Sequence, residues 1–202
     1  MLEHDRLPRS FFTRSTLQVA RQLLGSRLVR IEGGKRVAGL IIEAEAYRGE
    51  EDQGCHARAG RTPRTRIMFG PPGHAYVYFT YGMHWMLNFV TEEEGFPAAV
   101  LIRALLPTEG LSIIASRRNT QPQKHWTDGP GKICQALAID GEFNGADLCR
   151  ADAHLFVEYG DPIPDQSVTI GPRVGLNNVP EPWKSIPWRF LVSDGYFSME
   201  SR

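Results

Sequence analysis

Hydrophobic positions along residues 13–25, TRSTLQVARQLLG, recur at helical spacing. Leu17, Ala20, Leu23 and Leu24 share one face, Thr13 or Ser15 stands where an N-cap belongs, and Gly25 where a helix stops. Residues 26–47, SRLVRIEGGKRVAGLIIEAEAY, change to strand-like alternation and read as two strands joined at Gly33–Gly34. Residues 48–73 are rich in Gly, Pro and Arg and carry little periodicity; a connection that long inside a compact domain is usually functional. A strand is expected over 75–80, a turn at Tyr81–Gly82, and a second strand from Trp85 to Val90. AAVLIRAL, 98–105, reads as a short buried strand. PTEGLSIIASRR reads as a helix capped by Thr108, and DGPGKICQALAID as another with Asp128 at its start and Asp140–Gly141 at its end. HLFVEY, VTIGPRVG and PWRFLV supply later strands. Strands outnumber helices and do not alternate regularly with them, so the expected class is α+β, in a single domain spanning residues 1–202.

Composition adds exclusions. With 42% hydrophobic and 23% charged residues the chain is ordinary for a globular protein, and no apolar run approaches the roughly 18 residues of a membrane span. The start, MLEHDRLPRSFF, has no apolar signal-peptide core, so a cytoplasmic (nucleoid) or nuclear location is expected, not secretion. Cys55, Cys134 and Cys149 are an odd number at wide spacing, which argues against a disulfide framework. No Cys or His spacing typical of a metal site occurs, so no metal site is expected.

The formal net charge is zero, yet the charges segregate. From Gln53 to Thr91 there is no Asp or Glu, while Arg58, Arg61, Arg64 and Arg66 fall inside that stretch. Acids crowd both flanks: Glu43, Glu45, Glu50, Glu51 and Asp52 before it, Glu92, Glu93 and Glu94 after. A neutral chain can therefore present one basic face. The same stretch holds HAYVYFTYGMHWMLN, where Tyr76, Tyr78 and Tyr81 carry hydroxyls that need partners if buried. Just upstream, in IIEAEAYRG, alternation places Glu43, Glu45 and Tyr47 on one strand face, opposite Ile42, Ala44 and Ala46.

A carboxylate beside aromatic rings is partly desolvated and becomes a candidate general base for water. Arginines hold phosphates, and rings stack on bases for about 1–3 kcal/mol each, comparable to the few kcal/mol needed to extrude a nucleotide. Carboxylate, rings and arginines together describe an enzyme that flips a nucleotide and acts on it. A non-catalytic nucleic-acid module would not need the carboxylate, and a hydrolase of free nucleosides would need neither the arginines nor a wedge.

The run EAEAYRGEEDQGCHARAGRTPRTRIMFGPPGHAYVYFTYGMHWMLN, with LIRALLP, DGPGKICQALAID and GPRVG…PWRF, resembles the mammalian-type 3-methyladenine (alkyladenine) DNA glycosylases over roughly residues 10–193. The resemblance implies a single compact domain around a curved antiparallel sheet flanked by helices, without a helix-hairpin-helix. It implies a monofunctional N-glycosylase that acts on damaged purines in double-stranded DNA, as a monomer and without a cofactor. Glu45 would be the general base and Arg103 would help hold the water. Tyr47 would form one wall of the base pocket, His56 and Tyr78 the other. Asn88 would crowd the position of guanine's exocyclic amine. Tyr81 would be the wedge that fills the gap, with Met83 near that tip. Arg64 and Lys132 would meet phosphates, in a DNA-binding surface that also includes Thr62. Two departures are visible: Thr65 stands where some relatives carry Asn, and the segment is one residue shorter before Thr62.

Overall fold

A computed structural model describes residues 6–199; residues 1–5 and 200–202 of the expected 1–202 domain lie outside the described residues. The described chain forms one compact α+β unit on an open antiparallel sheet of eight strands. These are β1 (Arg27–Glu32), β2 (Lys35–Arg48), β3 (Ala75–Thr80), β4 (His84–Val90), β5 (Ala98–Glu109), β6 (Leu155–Glu158), β7 (Val168–Gly171) and β8 (Arg189–Val192). The main order is β3-β4-β5-β2-β1-β6, and β8 pairs with both β2 and β7.

The hairpin β1–β2 closes at Gly33 and Gly34, whose φ of +54° and +75° suit a two-residue turn. Strand β2 is the spine: β5 pairs along almost all of it, β1 along its first half, and β8 at Glu43–Glu45. Its register with β5 slips on either side of Glu43, leaving Ile42 and Arg103 without opposite partners. Such irregularities bend a strand. They also shift the alternation, so that Ile41, not Ile42, joins Ala44 and Ala46 in the main core while Ile42 packs at its margin.

Helices cover one sheet face. The expected helix 13–25 forms only over α2 (Thr16–Gln22), and a separate short helix, α1 (Arg9–Phe12), precedes it; Ser15 is the N-cap of α2 but its side chain makes no capping bond. α3 (Leu111–Arg118) does not begin at Thr108. Strand β5 runs through that residue, because pairing with β2 continues on either side of it, at Gly39↔Pro107 and Ala38↔Glu109, and Gly110, at φ +67°, turns the chain into the helix. α4 (Pro130–Leu137) is capped by Gly129 in place of Asp128. The opposite face carries a second, smaller core of Cys55, Ala57, Met68, Phe69, Tyr76, Val90 and Ala99. Residues 48–73 fold over this face as two 3₁₀ turns, His56–Ala59 and Arg66–Phe69, which explains their lack of periodicity. Among the described residues no helix is long and apolar enough to cross a membrane.

Candidate active site

The second face is read at period two across four strands. Tyr76 pairs with Asn88, Asn88 with Leu101, and Leu101 with Glu45, so one row of the sheet carries a phenol, an amide, an aliphatic floor and a carboxylate. Tyr78 and Met86 form a second row beside it. Over these rows lies a cavity of about 300 Å³, whose lining includes Tyr47, His56, Tyr78, Asn88, Arg103 and Tyr81. That volume lies at the small end of ligand sites.

Glu45 sits behind this lining at 0% exposure. Its Oε2 accepts from the Tyr47 hydroxyl at 2.8 Å, and its Oε1 accepts from the Val174 backbone N–H at 2.7 Å. Arg103 Nε lies 3.2 Å from the same Oε1. Tyr47, Arg103 and Val174 all line the cavity, so the carboxylate is joined to it through its own hydrogen-bond partners. Burial holds the Glu45 carboxyl above the ordinary carboxylate range, and outweighs Arg103, the Val174 amide and the Tyr47 hydroxyl, which pull it down. Burial and the neighbouring Glu45 charge push the Tyr47 phenol well above its ordinary value, which keeps it a donor. Arg103 also donates to Glu43 Oε1 at 2.9 Å, and Arg189 on β8 reaches that oxygen at 2.7 Å.

Opposite Tyr47, the His56 ring meets Tyr78 edge-on with centroids 4.6 Å apart. Its Nδ1 lies 3.1 Å from the Tyr76 hydroxyl. Burial first, then Arg64 and Arg58, lower the His56 pKa to about 4, so the imidazole is neutral at physiological pH. Asn88 Nδ2 donates to the Tyr76 carbonyl at 3.0 Å, which fixes the amide against the floor. Tyr81 forms the tip of the β3–β4 hairpin with φ +52°, a left-handed conformation unusual for a ring-bearing residue. It is 82% exposed and Met83 beside it 68%. Backbone strain on an exposed aromatic is not repaid by packing there, and such outliers cluster at functional sites.

Thr62 and Arg64 line a groove of about 520 Å³ that shares His56, Tyr81 and Gly175 with the pocket. The Thr62 hydroxyl is 2.9 Å from that of Thr65, tying the turn together. Lys132 stands apart from this groove and pairs with Asp128 at 2.6 Å. Among the described residues no cluster of three or more His, Cys, Asp or Glu is placed to hold a metal ion. Burial pushes the thiols of Cys55 and Cys134 to about 12 and that of Cys149 to about 11, so none is a thiolate nucleophile at neutral pH.

Sequence reasoning missed a buried support. Arg173 and Asp52 form an ion pair with both side chains fully buried, at 2.5 and 2.8 Å. The guanidinium lies between the rings of Tyr47 and Trp188, 4.6 and 5.1 Å from their centroids. Arg173 immediately precedes Val174, whose amide holds Glu45. Asp52 also accepts from Gly54 N at 2.9 Å, at the start of the turn that carries His56. The pair thus ties both pocket walls to the carboxylate. Residues from distant parts of the chain meet here, and no local pattern signals it.

Residues 10–195 match the sequence profile of the family described as methylpurine-DNA glycosylase (MPG). The chain belongs to this family. A protein of Methanocella arvoryzae, named as a 3-methyladenine DNA glycosylase, is 50% identical over 185 residues, covering 91% of this chain and 90% of its own. One of Myxococcus xanthus with the same name is 47% identical over 188 residues, covering 93% and 90%. One of Carboxydothermus hydrogenoformans, again so named, is 43% identical over 191 residues, covering 95% and 97%. The span matched to the methylpurine-DNA glycosylase family contains every residue placed around the pocket, from Glu43 to Arg189.

Proposed function

We propose that this DNA glycosylase extrudes a damaged purine from duplex DNA into the pocket between Tyr47 and the His56–Tyr78 wall and hydrolyses its N-glycosidic bond with water activated by Glu45. The observation that carries the proposal is the buried Glu45 carboxylate, held on the same sheet row as the pocket floor, hydrogen-bonded to Tyr47 and Val174 and ion-paired with Arg103, all of which line the pocket. A carboxylate offers about four lone-pair directions. Tyr47 and Val174 donate to two of these, and Arg103 Nε, whose hydrogen goes to Glu43, stands 3.2 Å from Oε1 as an ionic neighbour, so lone-pair directions remain for a water.

In the reaction, the water oxygen bonds to the anomeric carbon while the carbon–nitrogen pair leaves with the purine. The water proton passes to Glu45. Positive charge that develops on the sugar is stabilised by the same carboxylate. Burial makes Glu45 a stronger proton acceptor than a solvated glutamate. Arg103, shared with Glu43, opposes that rise by its charge. Tyr81, exposed at the hairpin tip, fills the space vacated by the purine. Thr62, Arg64, Met83 and Lys132 contact the duplex around it, approached from the minor groove. Asn88, fixed by the Tyr76 carbonyl, narrows the pocket against guanine's exocyclic amine. The protein acts as a monomer on alkylated or deaminated purines, namely 3-methyladenine, 7-methylguanine, hypoxanthine and ethenoadenine.

Incubation with duplexes that each hold one of these lesions, followed by heating in alkali, reveals abasic sites as strand breaks. Breaks at the lesion only after alkali are expected. No breaks from any of the four, with binding intact, would overturn the proposal.

A further inference from the structure

Two carboxylates stand on the pocket side of β2, and the proposed reaction uses only one. Glu43 precedes Glu45 by two residues and is 9% exposed. Its Oε1 accepts from Arg103 Nε at 2.9 Å and from Arg189 Nε at 2.7 Å. The two arginines come from β5 and β8, which pair with β2 on either side of Glu43. Arg103 stands in the slip of the β2–β5 register, and such irregularities re-aim a side chain.

Arg103 therefore has two acids within reach of one N–H. Nε is 3.2 Å from Glu45 Oε1, but its hydrogen goes to Glu43. Among the described residues Arg103 donates no other hydrogen bond, and it lines the pocket, so its Nη groups are left to the pocket. Glu45 Oε1 already accepts from the Val174 amide, and Oε2 from the Tyr47 hydroxyl. Each carboxylate oxygen has about two lone-pair directions, so Oε1 has one left. An Nε–H turned toward Glu45 would take it. A hydrogen bond to the charged form would also make the carboxylate a weaker proton acceptor.

We propose that Glu43 is a positioning residue: it holds the Nε–H of Arg103 away from Glu45, which keeps a lone pair of Oε1 open to water and aims the Nη groups into the pocket. The inference rests on the reading of Glu45 as the general base and adds what keeps that base competent. Arg189 completes the device, because two carboxylates then face two guanidiniums and the formal charges of the cluster cancel. Glu45 is faced by Glu43 and Tyr47 from β2, by Arg103 from β5, by Tyr78 from β3 and by the Val174 amide, with Arg189 beyond Glu43. Burial and Glu43 raise its pKa; Arg103, Val174 and Tyr47 lower it. Loss of Glu43 removes a raising influence and strengthens a lowering one, so both changes act in the same direction.

The test is single-turnover release of hypoxanthine from duplex DNA at saturating enzyme, from about pH 5 to about pH 9, by the wild type, Glu43→Gln and Glu43→Leu. Glutamine keeps an oxygen that can accept the Arg103 Nε–H; leucine does not. Urea unfolding fixes a temperature at which all are folded. Glu43→Leu should move the acid limb to lower pH by about 0.5–1 unit and slow the plateau by about 10–100-fold. Glu43→Gln should move the limb the same way by less and hold the plateau within about threefold of wild type. A folded Glu43→Leu whose limb stays in place or rises would overturn the proposal, and so would equal behaviour of the two variants. Should Glu43→Leu not fold, Glu43→Gln still decides, and an unmoved limb there refutes the inference. The underlying reading fails separately: if Glu45→Gln releases hypoxanthine at most of the wild-type rate, Glu45 is not the base, whatever the Glu43 variants do.

Discussion

Removing the Arg173 charge tests how the pocket is held. Arg173→Met keeps an unbranched side chain of similar length but leaves Asp52 buried at 0% exposure with only the Gly54 and Arg48 amides as partners. Leaving one half of a buried pair uncompensated costs about 3–5 kcal/mol. Set against a total stability of about 5–15 kcal/mol for a domain, this variant should stand near the edge of folding. Replacing both members by neutral groups removes the unpaired charge, and such replacements are often close to neutral. Asp52→Asn/Arg173→Met should therefore regain at least about 2 kcal/mol over Arg173→Met. Activity should not follow. Without the guanidinium, the Arg173 bond to the Ala46 carbonyl of β2 and the cation behind the Tyr47 ring are both lost, leaving Val174 tied to β2 through its amide on Glu45 alone, and a displacement of about 1 Å at a catalytic group can cost about 10²-fold. Urea unfolding of the two single variants, the double variant and the wild type gives the coupling energy. Single-turnover excision, at a temperature where all are folded, gives the second axis. If excision recovers in step with stability, the pair is a stability device alone and its positioning role is refuted. If the double variant is no more stable than Arg173→Met, the buried-charge account of Asp52 is wrong.

Three other outcomes follow from the site. Tyr47→Phe removes a hydroxyl that helps hold Glu45 ionised, so the acid limb of the excision rate should move to higher pH, with near-normal rates on the alkaline plateau; an unmoved limb would disconnect Tyr47 from the base. Tyr81→Gly relieves a left-handed φ, worth about 1–2 kcal/mol, but adds unfolded-state freedom of about 0.5–1 kcal/mol. Stability should thus change by no more than about 1 kcal/mol, while excision falls more in a well-paired duplex than at a mismatch. His56 has a folded pKa of about 4, below the roughly 6.5 of an unfolded histidine. The unfolded chain then binds the proton first, so stability should fall as pH drops from about 6.5 toward 4, and His56→Gln should flatten that part of a urea-midpoint profile.

The pocket was legible where it follows local pattern. Alternation in EAEAY put Glu45 and Tyr47 on one face, and the structure joins them by a 2.8 Å hydrogen bond. The Gly33–Gly34 turn and the Tyr81–Gly82 tip were legible because each lies between alternating segments. What escaped depends on contacts distant in sequence. Thr108 carries a helix-capping side chain, yet β2 captures it as strand. The slip at Ile42 cannot be seen without the opposing strand, and it decides that Ile41 enters the core. Asp52 read as one more acid on a flank, and Arg173 as part of a motif without a role; only tertiary packing brings them together beneath Tyr47. Burial of Glu45 outweighs the Arg103 charge, and that balance too is set by tertiary packing.

The central claim is that Glu45 activates the attacking water. Glu45→Gln preserves shape, and the amide can accept from Val174 N–H while its –NH₂ turns to the Tyr47 oxygen. Because burial raises the Glu45 pKa, the carboxylate's contribution to stability is present below the unfolded value of about 4.3 and is lost as pH rises through the folded value. The variant should therefore be at least as stable as the wild type at neutral pH. The decisive measurement pairs affinity for a hypoxanthine duplex with the single-turnover release of that base by Glu45→Gln. Affinity within a few-fold of wild type and release slowed by about 10²–10⁴-fold are predicted; release at most of the wild-type rate would contradict the account.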